Sequence, residues 1–462
     1  MSKQALFNFI DKNEQVLNEM SDTIWEYAEI AMHEVKSSKL QREFLSARGF
    51  VIKDIPNIPT AFIAEVGSGK PVLGILGEYD ALGGLSQKVS SVREAFTSLS
   101  DPGHGCGHNL LGVGGVAAAI ALKDVMESEK IDGTLRYYGC PAEETLSGKV
   151  LMAKENVFND LDAVVSWHPA QINAVWGCSF LALNSLKFRF KGIPAHAAAA
   201  PDSGRSALDA VELMNVGANY LREHVIEKAR IHYVITNGGM APNTVPPDAE
   251  VWYYIRAPKR EQVRDITKRL LKVAEGAAMM TETKMSYELL AGCYDVVTNK
   301  LMGDLIYANM EECGPPKFDE ADFAFAREFT SQMTREDRAR VQSAYFAPDF
   351  IADMDLCDKI VKIDDRDKVM AGSVDGGDVS YIAPFAQFTA ATWPIGSAAH
   401  TWTSTSCSGS SIGRKAMLFA GKIMAATLYD MFKDPAKVKA AREEFEKSLG
   451  GFKYVSPYNE GV

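Results

Sequence analysis

The heptapeptide Gly103-His104-Gly105-Cys106-Gly107-His108-Asn109 sets a thiol and an imidazole two residues apart in a glycine-rich stretch. Glycine removes the steric obstacles to a sharp loop, so both groups can turn towards one point. Further on stand the paired carboxylates Glu143-Glu144, behind Cys140-Pro141-Ala142, and a histidine fixed before a proline, His168-Pro169. His400 lies in a later loop. Thiolate, imidazole and carboxylate are the donors that hold borderline-soft divalent metals. A second carboxylate beside a ligand can take a proton from metal-activated water. These residue types point to metal-dependent hydrolysis.

Each motif also has a plainer explanation. Cys106 could be a buried cysteine in a turn, and Glu143-Glu144 a solvated pair at a helix start, where acids are favoured. It is their joint occurrence at loop positions that favours a metal site. A helix beginning just after Cys106 is expected to favour the thiolate. Cys106 or Cys140 as a nucleophile with a histidine base would leave the carboxylate pair and the spare histidines without a role. The chain has no H-E-x-x-H, no zinc-deaminase signature and no P-loop lysine after the glycines. His33, His224 and His232 stand outside any motif, and the context of His104 does not require it as a ligand. Asp375-Gly376-Gly377-Asp378 reads as a turn.

The elements around these residues explain how they could meet. Residues 1 to about 50 have helical spacing. Val72-Leu73-Gly74-Ile75-Leu76-Gly77, Thr134 to Tyr138, and Leu161 to Trp167 are short apolar runs of the kind buried in a parallel sheet. They end at Glu78-Tyr79-Asp80, at the Glu143-Glu144 turn and at His168. Helices are expected from the glycine loop to about Glu129 and from the carboxylate pair to about Asn156. Alternating strands and helices predict an α/β domain, a mostly parallel sheet flanked by helices, with Asp80, Glu143, Glu144 and His168 at strand carboxyl ends, where such sheets bind ligands. From about Ser185 to Leu290 the order becomes β-α-β-β-α-β, a small split sandwich read as an inserted domain. The expected boundaries are 1–184 and 296–462 for the catalytic domain and 185–295 for the insert. Helical spacing resumes over Asn299 to Glu312. Phe388 to Trp393 is a predicted strand, Arg414 to Phe432 a long helix, and the last thirty residues a polar tail. Segment 319–350 is charged and helical in tone, and its place in the fold is left open.

Length and composition are compatible with this reading. At 462 residues, two domains are the default; 47% hydrophobic and 24% charged residues are ordinary for a globular protein. The formal net charge is −11, from 49 basic and 60 acidic side chains, and no basic block accompanies aromatic residues, which argues against nucleic acid as partner. Seven scattered cysteines favour a reducing cytoplasm. The amino terminus lacks an apolar signal core. The longest apolar-looking run, Leu110 to Leu122, is glycine-interrupted and shorter than the ~20 residues a bilayer requires, so no membrane association is expected.

Taken together, G-H-G-C-G-H-N-L-L-G, G-C-P-A-E-E, W-H-P, F-K-G-I-P-A-H-A-A, G-R-S-A-L-D-A and A-A-H-T-W resemble the amidohydrolase branch of the aminoacylase and glutamate-carboxypeptidase superfamily of metallopeptidases. The resemblance covers nearly the whole chain. It implies two divalent ions per subunit, zinc or manganese, held by Cys106, His108, Glu144, His168 and His400, with Glu143 as general base. Glu78 stands where other relatives have a histidine ligand, which argues against it as a ligand, while Asp80 is implied to orient a ligand. The resemblance makes the inserted domain a lid that mediates dimerisation. Its His196 would polarise the scissile carbonyl across the dimer, and Asn243 and Arg256 would hold the substrate carboxylate. The implied substrate is a small N-acyl amino acid or dipeptide, and the implied partner an identical chain or a related subunit. The alternatives are a dipeptidase or deacylase of other specificity, and a non-catalytic metal-binding regulatory subunit.

Overall fold

A computed structural model describes residues 3–460. The chain divides into two compact units, one built from residues 1–179, 297–370 and 379–454, the other from 180–296, 371–378 and a C-terminal piece beginning at Val455.

In the first unit three helices, α1 (Gln4–Lys12), α2 (Glu14–Tyr27) and α3 (Val35–Ser46), precede the strands β1 (Val51–Asp54), β2 (Phe62–Ser68) and β3 (Val72–Glu78). Then follow α4 (His108–Glu129), β4 (Gly133–Cys140), α5 (Gly148–Lys154), β5 (Ala163–Ala170) and β6 (Ala174–Trp176). These strands and Phe385–Ala391 form one seven-stranded sheet in the order β1-β2-β4-β3-β5-Phe385–Ala391-β6. The four central strands run parallel, as expected. The edges are antiparallel, making the sheet mixed. The central runs are apolar because both faces are covered: every residue of β3 is buried.

Helix α4 lies against this sheet with an apolar surface nearly all round, and Leu110 to Leu122 are entirely buried. It is long and apolar enough to cross a bilayer by composition, yet 89% of its most apolar window is buried inside the protein, which is how a core helix reads. Gly112 lets it approach closely: a Cβ there would lie 2.4 Å from the Glu78 carbonyl oxygen. The amino end of α4 is thereby drawn to the carboxyl end of β3.

One expectation needs correction. The last thirty residues contain a helix, Pro435–Leu449, started by Asp434 accepting from the Ala436 N–H and by Pro435 in the first turn. Its charged sequence reads as a tail because only Ala441 and Phe445 are buried. Segment 319–350 is helical as expected, in helices Glu320–Thr330 and Arg335–Ala344, each with a side-chain capping box, before a short 3-10 turn at Asp349–Asp353.

The second unit has the expected β-α-β-β-α-β order: Ala182–Lys191, Ala207–Leu221, Arg230–Asn237, Asp248–Ala257, Arg260–Thr281 and Lys284–Cys293. Its four strands form an antiparallel sheet, and alternate residues such as Leu186, Phe188, Val251 and Tyr253 join Val211, Met214, Val263 and Leu270 of the helices in a separate core.

Candidate metal centre

The sheet delivers its polar groups to one edge. Glu78 and Asp80 end β3, Glu143 and Glu144 follow β4, and His168 lies near the carboxyl end of β5, paired with Thr389. Cys106 and His108 open α4, whose N-cap is Gly107 at φ 76°. Any other residue is strained there: a Cβ would meet the Pro169 ring at 2.9 Å, and a left-handed backbone is costly with any side chain. His400 is also left-handed, at φ 61°; its N–H donates to the Gly105 carbonyl at 2.9 Å, fastening the His400 loop to the glycine loop.

The ligand atoms form overlapping groups in which every pair lies within 4.8 Å: Cys106 with His108 and His168, Cys106 with Glu144 and His400, and Glu78 with His108 and Glu143. The five expected ligands thus fall into two sets that share the Cys106 sulfur, which lies 3.3 Å from His168 Nε2. Glu144 approaches His400 Nε2 at 3.3 Å. Asp80 sits where an orienting carboxylate should: its Oδ1 accepts from His108 Nδ1 at 2.9 Å and its Oδ2 from the Glu144 N–H at 2.9 Å. This leaves His108 Nε2 turned inward, 3.2 Å from Glu78 Oε2.

The electrostatics fit a cation. Four carboxylates and a thiol are gathered in a buried space. The Glu144 carboxyl is pushed up to about 8, by burial first, against the opposing charge of His108 and with the charges of Asp80 and Glu78 adding to the rise. The Cys106 thiol is also pushed up, by burial first and then by Glu144. The helix start therefore does not produce a thiolate unaided, contrary to expectation; burial and neighbouring acids win, and a metal would have to supply the missing charge. Burial opposes the imidazolium of His108, but Cys106, Glu78 and Asp80 outweigh it and raise its pKa. His168 is lowered to about 4, by burial and by His108. Glu78 Oε2, His108 Nε2 and Glu144 Oε1 are buried without a hydrogen-bond partner. Such atoms are rare unless something else satisfies them, and a divalent ion suits this donor set.

Two participants escaped the sequence. Lys149, 1% exposed, donates to Glu78 Oε1 at 2.6 Å, and with His108 it outweighs burial to keep the Glu78 carboxyl below its ordinary value. Glu34, fully buried, receives the Ala142 N–H at 2.8 Å. Neither carries a local signal, except that Lys149 is a lone cation in an apolar turn of α5. Glu78, discounted as a ligand, lies within the cluster. His104 does not: it is buried against the Ile24 carbonyl at 3.0 Å, a packing role.

The remaining predicted residues lie in the second unit. His196 is exposed, its Nδ1 accepting from the Ala199 N–H at 3.1 Å, and it bridges to Thr244 beside Asn243. Arg256 is half-buried and donates to Ser373 Oγ at 3.3 Å. The register pairs Lys191 with Asp248 and Leu183 with Arg256. His196 and Asn243 therefore adjoin one end of the sheet and Arg256 the other, roughly 25 Å apart at ~3.3 Å per residue. Within this unit the three are not brought together.

A family model described as the peptidase dimerisation domain matches residues 182–279. The chain is 40% identical to one of the subunits of p-aminobenzoyl-glutamate hydrolase of Escherichia coli (strain K12), over 99% of this chain and 98% of the relative. It is 29% identical to Xaa-Arg dipeptidase of Mus musculus, over 95% and 91% of the two chains. A solved structure from Bacillus subtilis, a dinuclear metal-binding peptidase of the M20 family, has the same fold, with a TM-score of 0.53 at 17% identity over 90% of this chain and 98% of that one. Identity at this level along both full chains, over a centre with these donors, makes the chain a member of the M20 family of metal-dependent amidohydrolases and peptidases.

Proposed function

We propose that the chain hydrolyses the amide bond of an N-acyl amino acid of the p-aminobenzoyl-glutamate type, with residues 1–184 and 296–462 as catalytic domain and 185–295 as lid. The observation that carries this reading is the pair of donor sets sharing Cys106, with Glu143 beside them. Cys106, His108, Glu144, His168 and His400 would hold two divalent ions, zinc or manganese. When bound, such ions polarise a carbonyl and lower the pKa of water. Glu143 takes the proton of the attacking water and returns it to the leaving amine. Asp80 fixes the His108 ring through Nδ1, which leaves Nε2 as the nitrogen that would serve as ligand. His196 stabilises the developing oxyanion, and Asn243 with Arg256 holds the substrate carboxylate, a task suited to a bidentate guanidinium.

The separation of His196 and Asn243 from Arg256 along the lid sheet supports a shared site. A small substrate cannot bridge ~25 Å, so His196 and Asn243 serve the neighbouring subunit, a second copy or a related chain. The 40% identical relative is by its name one of several subunits of its enzyme, so both a second copy of this chain and a related chain stand as the neighbour. Seven free cysteines support a reducing cytoplasm.

Elemental analysis of the purified protein, with hydrolysis assays on p-aminobenzoyl-glutamate and on Xaa-Arg dipeptides, tests the proposal. Two equivalents of metal and release of p-aminobenzoate are expected. Preference for Xaa-Arg dipeptides would move the specificity to that of the second relative, and metal-independent turnover would end the proposal.

A further inference from the structure

The segment between α2 and α3 supplies no group to the chemistry above, yet one of its side chains reaches the turn that carries the base. Glu34, the residue before α3, is fully buried. Its Oε1 accepts two backbone N–H groups, from Ala142 at 2.8 Å and from Met32 at 2.9 Å. Both donors are left-handed residues with a Cβ, Ala142 at φ 54° and Met32 at φ 65°. That region is disfavoured for such residues and persists only where the surroundings determine it. Ala142 immediately precedes Glu143 and Glu144. Beyond it the chain closes into a turn, with the Ser147 N–H on the Ala142 carbonyl at 3.2 Å and the Leu146 N–H on the Glu143 carbonyl at 2.6 Å.

The support behind Glu34 is itself fixed. The Glu29 carboxylate accepts the Lys36 and Ser37 N–H groups at 3.0 and 2.9 Å, and the Glu29 carbonyl accepts the Ala81 N–H at 2.8 Å. Ala81 follows Asp80. Residues 29–37 thus tie the end of β3, bearing Asp80, to the end of β4, bearing the carboxylate pair.

We infer that Glu34 is a positioning residue for the hydrolytic centre: its carboxylate oxygen holds Ala142 left-handed and so sets the direction in which Glu143 and Glu144 leave β4. This rests on the roles proposed for Glu143 and Glu144. The requirement is a buried acceptor at full glutamate reach. Glutamine retains it, aspartate falls a methylene short, and alanine leaves the buried Ala142 N–H without its acceptor.

The test compares Glu34→Gln, Glu34→Asp and Glu34→Ala in the full chain, read by amide hydrogen exchange of residues 140–148 in metal-free protein, by metal content, and by kcat and KM on p-aminobenzoyl-glutamate. Glu34→Ala and Glu34→Asp should speed exchange in this turn by about tenfold, the scale of one lost hydrogen bond, and lower kcat by about tenfold or more with KM within twofold. Glu34→Gln should stay near wild type in both. Unchanged exchange in a folded Glu34→Ala protein would overturn the inference, as would a Glu34→Gln protein as damaged as Glu34→Ala. If Glu34→Ala does not fold, Glu34→Asp decides; if neither folds, Glu34 serves the whole fold and the positioning role is overturned. An active Glu143→Ala protein would refute the base assignment, which the exchange readout does not depend on. An inactive Glu143→Ala protein beside a fully active Glu34→Ala one would overturn the positioning role alone.

Discussion

The two units hold their functional side chains in opposite ways. In the first, His108, Glu143 and Asp80 are buried, and Asp80 engages both the His108 ring and the Glu144 backbone. In the second, His196 is exposed on a loop, its ring accepting from the Ala198 and Ala199 N–H groups. Beside it opens a cleft of about 630 Å³ lined by Ala197, Met240, Thr244 and Pro246, and Met240 is fully exposed. The first arrangement is preorganised: its groups are fixed before any substrate arrives, which is what electrostatic catalysis requires. The second leaves its imidazole exposed to solvent. On that contrast, mutations of the first unit's donor residues and of the groups that hold them should disturb metal content or stability as well as chemistry, whereas His196 should affect chemistry alone.

The largest effect is expected at Glu143. Glu143→Ala should keep its metal and lose ~10²- to 10⁴-fold in turnover, the range for a positioned general base, measured by steady-state hydrolysis beside elemental analysis. Full turnover with normal metal content would remove Glu143 from the mechanism. Next comes Lys149→Met, which strips the buried Glu78 of its ion-pair partner. Breaking a buried pair from one side costs about 3 kcal/mol or more, so the denaturation midpoint of the metal-free protein should fall markedly. An unchanged midpoint would mean that Glu78 is neutral or hydrated in that state. Gly107→Ala should be milder, about 1–2 kcal/mol from the left-handed backbone, together with reduced metal content because Cys106 and His108 flank the strained position. Wild-type metal content in that variant would show that the loop adapts.

The same contrast explains what the sequence could convey. The cluster was legible where local patterns end at chemistry: apolar runs stop at Glu78-Tyr79-Asp80 and at His168, and the glycine loop opens α4. The second unit was legible because its strands alternate and its helices are amphipathic. Glu34 and Lys149 were not, because each meets its partner across a long stretch of chain, Ala142 at 108 residues and Glu78 at 71. Such pairings follow from the sheet order, which no local pattern encodes. Strand β1 was missed for another reason: Val-Ile-Lys-Asp is a four-residue edge with no buried position, so neither length nor alternation marks it. The thiolate expected of Cys106 failed because helix position was weighed without the acids that the fold gathers round the sulfur.

The smallest expected effect is also the one that separates the two units most cleanly. His196→Ala touches an exposed side chain, so it should change stability by no more than ~0.5 kcal/mol while removing most activity. Mixed with Glu143→Ala chains under conditions where subunits exchange, it should regain part of what each has lost. Half of the dimers in an equimolar mixture combine the two variants. Each such dimer has one site with an intact base from one chain and an intact histidine from the other, and a second site lacking both. About a quarter of all sites are then complete, because identical chains pair through self-complementary surfaces, and activity should approach about a quarter of wild type. Recovery requires that the base and the histidine of one site come from different chains. Exchange demonstrated by mass labelling without any recovery would place both in the same chain, and the exposure of His196 would then need another explanation than a neighbouring subunit.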